Sequence, residues 1–190
     1  DLEGKKIIIR CDLNVPIENG VITDDTRIIA SLRTIKYALR FNTKIILLSH
    51  LGKIKTEEDK KKNSLYPVAE RLREYLNTDV LFSPDTCSDR LTDMVNNMKE
   101  KSVLLIENTR FEDVPDKRES ECNDDLAKYW ASLGDIFIND AYGTCHRNHT
   151  SITGIPKYLP SGVGFLVEKE LQKIDSVLDA KTHPFIAVLG

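Results

Sequence analysis

Short apolar runs recur along the chain, and longer stretches with a one-sided apolar pattern separate them. Six such runs occupy residues 7–9, 45–48, 80–82, 103–106, 136–138 and 185–189. Their residues are apolar without alternation, which is typical of strands that are covered on both faces of a sheet. The pattern therefore predicts a buried strand at each of these places.

Helices are predicted between the strands. Asp24 is a suitable N-cap, and four apolar residues follow it on one helical face: Ile28, Leu32, Ile35 and Leu39. Similar patterns predict further helices over residues 66–76, 88–99, 122–133 and 166–178. The charged residues 53–62 are predicted to form a solvated loop. Repeated strand–helix–strand units predict an α/β fold, with three α/β/α layers and a mostly parallel sheet of about six strands.

The composition narrows the classes of function. The chain has 190 residues with 27 basic and 30 acidic side chains, a net charge of -3, which argues against a nucleic-acid-binding protein of the basic type. No apolar run approaches the roughly 18 residues of a membrane helix, and we see no secretory leader. Four cysteines without a CxxC pair fit reduced thiols. We therefore expect a cytoplasmic protein with no nucleic-acid or membrane partner.

Polar side chains follow four of the predicted strands at the point where each strand ends. They are Asp12 and Asn14, then His50, then Asn108 and Arg110, and finally Asn139, Asp140, His146 and Arg147. In open parallel sheets, ligands bind in the crevice outside the carboxyl ends of the strands. This edge of the sheet is therefore the candidate site.

Cations are concentrated in and beside these loops. The candidates are Arg27, Lys53, Arg110 and Arg147, with His50 and His146 as possible additions. Arg27 falls in the first turn after Asp24, where the helix dipole disfavours a cation, so an anion shared with the helix N-terminus explains it better. The set predicts a site for a small anion that carries phosphate or carboxylate. The alternative is that these arginines are surface residues paired with nearby carboxylates.

Motifs for other chemistries are incomplete. The Gly-Lys pair at 52–53 is followed by Ile54, so it does not form a nucleotide-binding P-loop. The segment 162–164 lacks the third glycine of a dinucleotide fingerprint, which argues against a dinucleotide-dependent enzyme. His146 and His149 form an HxxH pair without further ligands at metal spacing, so no metal site is predicted.

Five segments in the loops resemble blocks of the phosphoglycerate kinase family, in the same order. They are RCDLNVP at 10–16, SHLGK at 49–53, ENTRF at 107–111, NDAYGTCHR at 139–147, and GFL with EKEL within 164–171. The resemblance covers essentially all 190 residues, and the blocks are specific when taken together. Lys53 departs from the family, in which many members carry Arg at this position. Lysine keeps the charge but lacks the bidentate fork.

The resemblance implies an activity and a role for each matching residue. The family moves a phosphoryl group between 1,3-bisphosphoglycerate and ADP, which gives 3-phosphoglycerate and MgATP. By resemblance, Arg27 is the catalytic residue that stabilises charge on the transferring group. The substrate-binding set is Asp12, Leu13, Asn14, Arg27, His50, Leu51, Gly52, Lys53, Arg110 and Arg147. Within that set, His50, Lys53, Arg110 and Arg147 would hold the 3-phosphate, while Asp12 and Asn14 would orient the glycerate.

The resemblance also implies a domain organisation with two Rossmann-like domains. Residues 1–165 would form the N-terminal 3-phosphoglycerate-binding domain, 166–180 the interdomain helix, and 181–190 a linker and the first strand of the nucleotide-binding domain. MgATP or MgADP would bind that second domain, so we expect this chain to be inactive alone. The strand at 185–189 would then expose an apolar edge, whereas the full-length family is monomeric. An alternative is a non-enzymatic binding module for phosphorylated metabolites, or a degenerate partner subunit.

Overall fold

The computed structural model describes residues 1–178, and a parallel sheet lies at the centre of this part of the chain. The strands are β1 Lys6–Cys11, β2 Ile17–Glu18, β3 Val21–Ile22, β4 Lys44–Leu48, β5 Val80–Ser83, β6 Ser102–Ile106, β7 Ile136–Asp140 and β8 Ser161–Val163. Among these residues, six strands form the main sheet in the order β5-β6-β4-β1-β7-β8, and every neighbouring pair in it is parallel. Strands β2 and β3 form a separate antiparallel hairpin.

Helices cover both faces of the sheet. They are α1 Thr26–Leu39, α2 Glu57–Lys62, α3 Tyr66–Tyr75, α4 Asp89–Asn96, α5 Asp124–Ser132 and α6 Phe165–Leu178. Ile7 and Ile9 of β1 belong to the apolar cluster that includes α1 and α3, whereas Ile8 belongs to the cluster of α4 and α5. Successive strand residues therefore face two separate cores, as the uninterrupted apolar runs indicated. This confirms the α/β fold with three layers and about six parallel strands.

Two short β elements were not predicted. Strand β8 has the sequence SGV, and all three residues are exposed. A strand this short with one apolar residue gives no apolar signal in the sequence. The hairpin of β2 and β3 turns at Asn19-Gly20, where both residues have positive φ, of 50° and 78°. An Asn-Gly pair is a strong hairpin signal and could have indicated this turn. The predicted strand at 185–189 lies outside the described residues.

The predicted helices are confirmed to within about three residues at their ends, and the start of α1 is corrected. The N-cap of α1 is Asp25, whose side chain makes no capping hydrogen bond. Asp24, the predicted N-cap, instead lies one residue earlier and accepts the backbone N–H of Thr26 on Oδ1 at 2.8 Å. Arg27 nevertheless lies in the first turn, as predicted.

The prediction of a loop over residues 53–62 is wrong in its second half, which forms helix α2. Thr56 and Asp59 form a reciprocal capping box there. Acidic residues occupy the first turn and lysines the last turn, which suits the helix dipole. No α2 residue is buried, so local capping and charge rather than an apolar face explain this helix. None of the helices within residues 1–178 is long and apolar enough to cross a membrane.

Candidate functional site

The loops with the predicted site residues meet at one edge of the sheet. They follow β6, β4, β1 and β7, which occupy four consecutive positions in the sheet. Because these strands are parallel, their carboxyl ends lie at the same edge. The predicted juxtaposition is therefore confirmed, with one correction. Asn139 and Asp140 are the last residues of β7 and not part of the loop after it.

Asn108 ties the loop after β6 to the loop after β4. Its side chain is fully buried, and its Oδ1 accepts the backbone N–H of Leu51 at 3.1 Å. Its Nδ2 donates to the carbonyl oxygens of Leu51 at 2.7 Å and of Asn63 at 2.9 Å. Since a buried amide with every partner satisfied rigidifies its surroundings, Asn108 holds the backbone of the site in one arrangement.

Gly52 permits a tight turn at the centre of the site. It has a φ of +61°, and a Cβ at this position would collide with Oδ1 of Asn63. The Gly52 N–H donates to Oδ1 of Asn14 at 2.9 Å, and its carbonyl oxygen accepts from Arg110 at 3.3 Å. Gly52 therefore connects the loops after β1, β4 and β6, a role that only glycine fills without strain.

His50 is buried between cations. Its Nδ1 lies 3.0 Å from an amino group of Arg10, which is fully buried in β1. Burial, followed by the charges of Arg10, Arg110 and Arg147, lowers the pKa of His50 to about 2. His50 is therefore a neutral imidazole at physiological pH, and it can act as a hydrogen-bond donor without carrying charge.

Arg110 and Arg147 belong to the same cluster, with Arg110 half-buried and Arg147 exposed. Burial and the neighbouring charge of Arg147 both lower the pKa of Arg110. The Nε of Arg110 is buried and has no hydrogen-bond partner within residues 1–178. In the same part of the chain, neither arginine forms an ion pair, and nor does the exposed Lys53. Like charges without carboxylate partners favour an incoming anion, because it would relieve their repulsion and hydrogen-bond the free N–H groups.

Arg27 differs from the other arginines because it is paired. Its NH1 group lies 3.2 Å from Oδ1 of Asp12 and 3.2 Å from the carbonyl oxygen of Asn14. The alternative of a surface arginine paired with a carboxylate thus applies to Arg27, and not to Arg110 or Arg147. The Arg27 side chain is 54% exposed, so the rest of its guanidinium can still bind an anion.

Two of the predicted substrate-binding residues are leucines whose side chains point away from the site. Leu13 and Leu51 are buried in the apolar core, so their side chains cannot reach a polar ligand. The Leu13 N–H donates to Ser49 Oγ at 2.9 Å, which fixes the loop after β1. These two leucines can therefore contribute only backbone shape to the site.

His149, and not His146, is the second histidine of the cluster. His146 is exposed, whereas His149 is buried, and burial with the charges of Arg110 and Arg147 lowers its pKa to about 4. In the sequence, His149 was notable only as the second histidine of an HxxH pair. Within residues 1–178 there is no group of three or more His, Cys, Asp or Glu side chains that could hold a metal.

Three buried residues behind the cluster were not predicted as site residues. Arg10 was visible only as the first residue of the block at 10–16, and Glu119 and Ser151 carried no sequence signal. Ser151 lies between the other two, accepting from Arg10 and donating to Glu119. Its partner Arg10 is 141 positions away in the chain, so only the fold shows that they meet.

Comparison with known proteins agrees with the geometry. The family model described as phosphoglycerate kinase matches residues 1–190. The chain is 54% identical to the phosphoglycerate kinase of Enterococcus faecalis and 53% identical to that of Listeria innocua. Both alignments cover all of this chain but 48% of the relative, so the chain spans about half the length of these curated relatives.

Solved structures of the same family share the fold. The phosphoglycerate kinase of Coxiella burnetii aligns with a TM-score of 0.79 and 35% identity, over 93% of this chain and 42% of that protein. The enzyme of Pyrococcus horikoshii aligns with a TM-score of 0.81 and 29% identity, over 96% of this chain and 45% of that one. By the match along its full length and by its fold, the chain belongs to the phosphoglycerate kinase family.

Proposed function

We propose that this chain is the 3-phosphoglycerate-binding half of a phosphoglycerate kinase. The whole protein would catalyse reversible phosphoryl transfer between 1,3-bisphosphoglycerate and ADP, giving 3-phosphoglycerate and ATP in glycolysis. One observation carries the proposal for this half. Arg110, Arg147 and Lys53 stand at the carboxyl edge of the sheet without carboxylate partners in residues 1–178, in a chain that belongs to this family.

The cationic cluster would bind the 3-phosphate. Arg110 would contribute its guanidinium, whose Nε has no hydrogen-bond partner within residues 1–178, and Arg147 and Lys53 would add charge from the exposed side. His50 would donate one hydrogen bond as a neutral ring, because burial and then the surrounding arginines lower its pKa. Phosphate offers several acceptor oxygens and two charges near neutral pH, so it matches this mixture of charged and neutral donors.

The other end of the substrate would lie against Asp12, Asn14 and Arg27. Asp12 would orient the glycerate by accepting a hydrogen bond from its hydroxyl group. Asn14 uses its Oδ1 on the Gly52 N–H, so its Nδ2 group is the one left to donate to substrate. Arg27 would stabilise charge on the transferring phosphoryl group. In phosphoryl transfer, positioning and electrostatic stabilisation supply most of the catalysis, so this division of roles is chemically sufficient.

The remaining parts of the reaction would lie outside this half. We assign residues 1–165 to the substrate domain, 166–180 to the interdomain helix, and 181–190 to the linker and first strand of a nucleotide-binding domain. By the resemblance to the family, MgATP or MgADP would bind the second domain of a monomeric, cytoplasmic enzyme, and this chain alone would show no turnover.

Calorimetric titration tests this proposal. 3-Phosphoglycerate should bind the chain more weakly as salt is added, because the site is cationic. Glycerate, which lacks the phosphate, should bind at least tenfold more weakly. Arg110→Gln should reduce the affinity for 3-phosphoglycerate without changing that for glycerate. A folded chain that binds both compounds equally, or that turns over substrate without a second domain, would contradict the proposal.

A further inference from the structure

A continuous chain of hydrogen bonds runs from a buried carboxylate to the ring of His50. Glu119 accepts the Ser151 hydroxyl on Oε1 and the Ser151 backbone N–H on Oε2, the latter at 3.0 Å. Ser151 Oγ accepts the Nε–H of Arg10 at 2.9 Å, and Arg10 reaches His50 Nδ1 at 3.0 Å. Glu119, Ser151 and Arg10 are all fully buried, so bulk water does not compete for these bonds.

The donors and acceptors of this chain fix its direction. A guanidinium has five N–H donors and no acceptor. Ser151 Oγ must therefore accept from Arg10, and its single proton is then directed to Glu119. For the same reason Nδ1 of His50 must accept from Arg10, so the ring proton lies on Nε2. Only one tautomer of His50 is compatible with the contact that Arg10 makes.

Arg10 is unlike the other arginines of the cluster because it is enclosed by protein. It also donates to the carbonyl oxygen of its neighbour Cys11. With its Nε and both amino groups engaged and no exposed surface, Arg10 acts on a ligand only through His50. Glu119, and to a smaller extent Asp12, supplies the nearby negative charge that a buried guanidinium requires.

We propose that Glu119 and Ser151 are positioning residues of the anion site, which act through Arg10 to hold His50 in the Nε2–H tautomer. The inference rests on the proposed function, because it gives this N–H a phosphate oxygen as its acceptor. In the other tautomer the ring would meet Arg10 with two donors face to face, and Nε2 would offer a lone pair to an anion. Loss of these hydrogen bonds would therefore weaken phosphate binding without removing any group that touches phosphate.

Nitrogen-15 NMR of the histidine rings tests the inference. Two-bond proton–nitrogen correlations distinguish the Nε2–H tautomer, the Nδ1–H tautomer and the charged ring. In the unaltered chain, His50 should be Nε2–H throughout pH 5–8. In Ser151→Ala and in Glu119→Gln, it should show a mixture of the Nε2–H and Nδ1–H tautomers. The matched control is Ser102→Ala, because Ser102 is also buried but lies at the opposite edge of the sheet, in the first position of β6.

Affinity for inorganic phosphate and for 3-phosphoglycerate should follow the tautomer. Loss of one well-placed hydrogen bond predicts about two- to tenfold weaker binding in the two network variants, Ser151→Ala and Glu119→Gln. The affinity of Ser102→Ala should be unchanged. Circular dichroism identifies a variant that fails to fold. If a variant does not fold, the nitrogen-15 NMR spectrum of the unaltered protein still tests the inference. A charged or Nδ1–H His50 at pH 7 in that spectrum would overturn it.

The outcomes separate this inference from the proposed function. If Ser151→Ala shifts the His50 tautomer but the unaltered chain binds neither phosphate nor 3-phosphoglycerate, the positioning role stands and the proposed substrate is wrong. If the chain binds 3-phosphoglycerate and both network variants keep the Nε2–H tautomer and an affinity within twofold of the control, Glu119 and Ser151 only support the fold. That second result would overturn the inference.

Discussion

Acidification from pH 7 to pH 5 is expected to destabilise the folded chain through two buried histidines. The pKa is about 2 for His50 and about 4 for His149, compared with an ordinary value of 6.5 in the unfolded chain. Below pH 6.5 the unfolded state therefore binds two protons that the folded state does not bind. Stability must fall as the pH falls through this range.

The size of the effect follows from these values. At pH 5 an unfolded histidine with a pKa of 6.5 is almost fully protonated, whereas both folded histidines remain largely neutral. Each site then costs about 2 kcal/mol of unfolding free energy relative to pH 7, so the pair costs about 4 kcal/mol. Burial raises the pKa of Glu107, Glu119 and Asp140, and these carboxyls shift stability in the opposite direction as the pH falls.

A comparison with a double variant isolates the histidine contribution. We would measure unfolding by denaturant at pH 7, 6 and 5 in phosphate-free buffer, for the unaltered chain and for His50→Asn with His149→Gln. Asparagine keeps an acceptor near the position of the His50 Nδ1. The unaltered chain should lose about 3–4 kcal/mol more than the double variant between pH 7 and pH 5. Equal losses in the two proteins would refute the assignment of both rings as buried and neutral.

Three substitutions test the framework and the charge of the site. Gly52→Ala should cost about 1–3 kcal/mol of unfolding free energy, because it adds a clash to a positive φ. Asn108→Ala should cost about 2–4 kcal/mol in the same denaturation assay, since it leaves backbone groups of the neighbouring loop unpaired. Arg110→Gln should leave the ligand-free protein as stable or more stable, but should weaken phosphate binding at least tenfold in calorimetry.

Matched controls accompany these substitutions. Gly4 also has a positive φ, of +67°, but has open space around its Cβ position, so Gly4→Ala should cost less than Gly52→Ala. Asn97 makes one exposed side-chain hydrogen bond, so Asn97→Ala should be nearly neutral. Equal costs within either pair would contradict the structural roles of Gly52 and Asn108. A destabilised Arg110→Gln would show that this arginine supports the fold.

The sequence was informative where structure follows from local pattern. The runs at 7–9 and 45–48 predicted buried parallel strands, and parallel strands end at a common edge. That rule alone was enough to place Asp12, His50 and Arg110 together before any contact was known. The pattern was not informative for α2, whose stability comes from capping and charge, or for β8, which has no buried residue.

The parts of the site that were missed depend on contacts between distant residues. Arg10 follows the apolar run of β1 and is fully buried, and its contact with Ser151 joins residues that are 141 positions apart in the chain. His146 and His149 are both histidines of the segment after β7, and the sequence alone does not distinguish them. In the structure His146 is exposed and His149 is buried. Periodicity and spacing do not predict which of these residues is buried, because tertiary packing determines it.

The most direct test of the central claim is a titration of 3-phosphoglycerate into the chain, followed by backbone amide NMR at low and at moderate salt. We predict shifts that cluster at residues 12–14 and 50–53, at Arg110 and at Arg147, and that weaken as salt is added. ATP added afterwards should shift none of these amides. A folded chain in which 3-phosphoglycerate shifts no amide of this cluster, or shifts only amides elsewhere, would contradict the claim that this edge of the sheet is the substrate site.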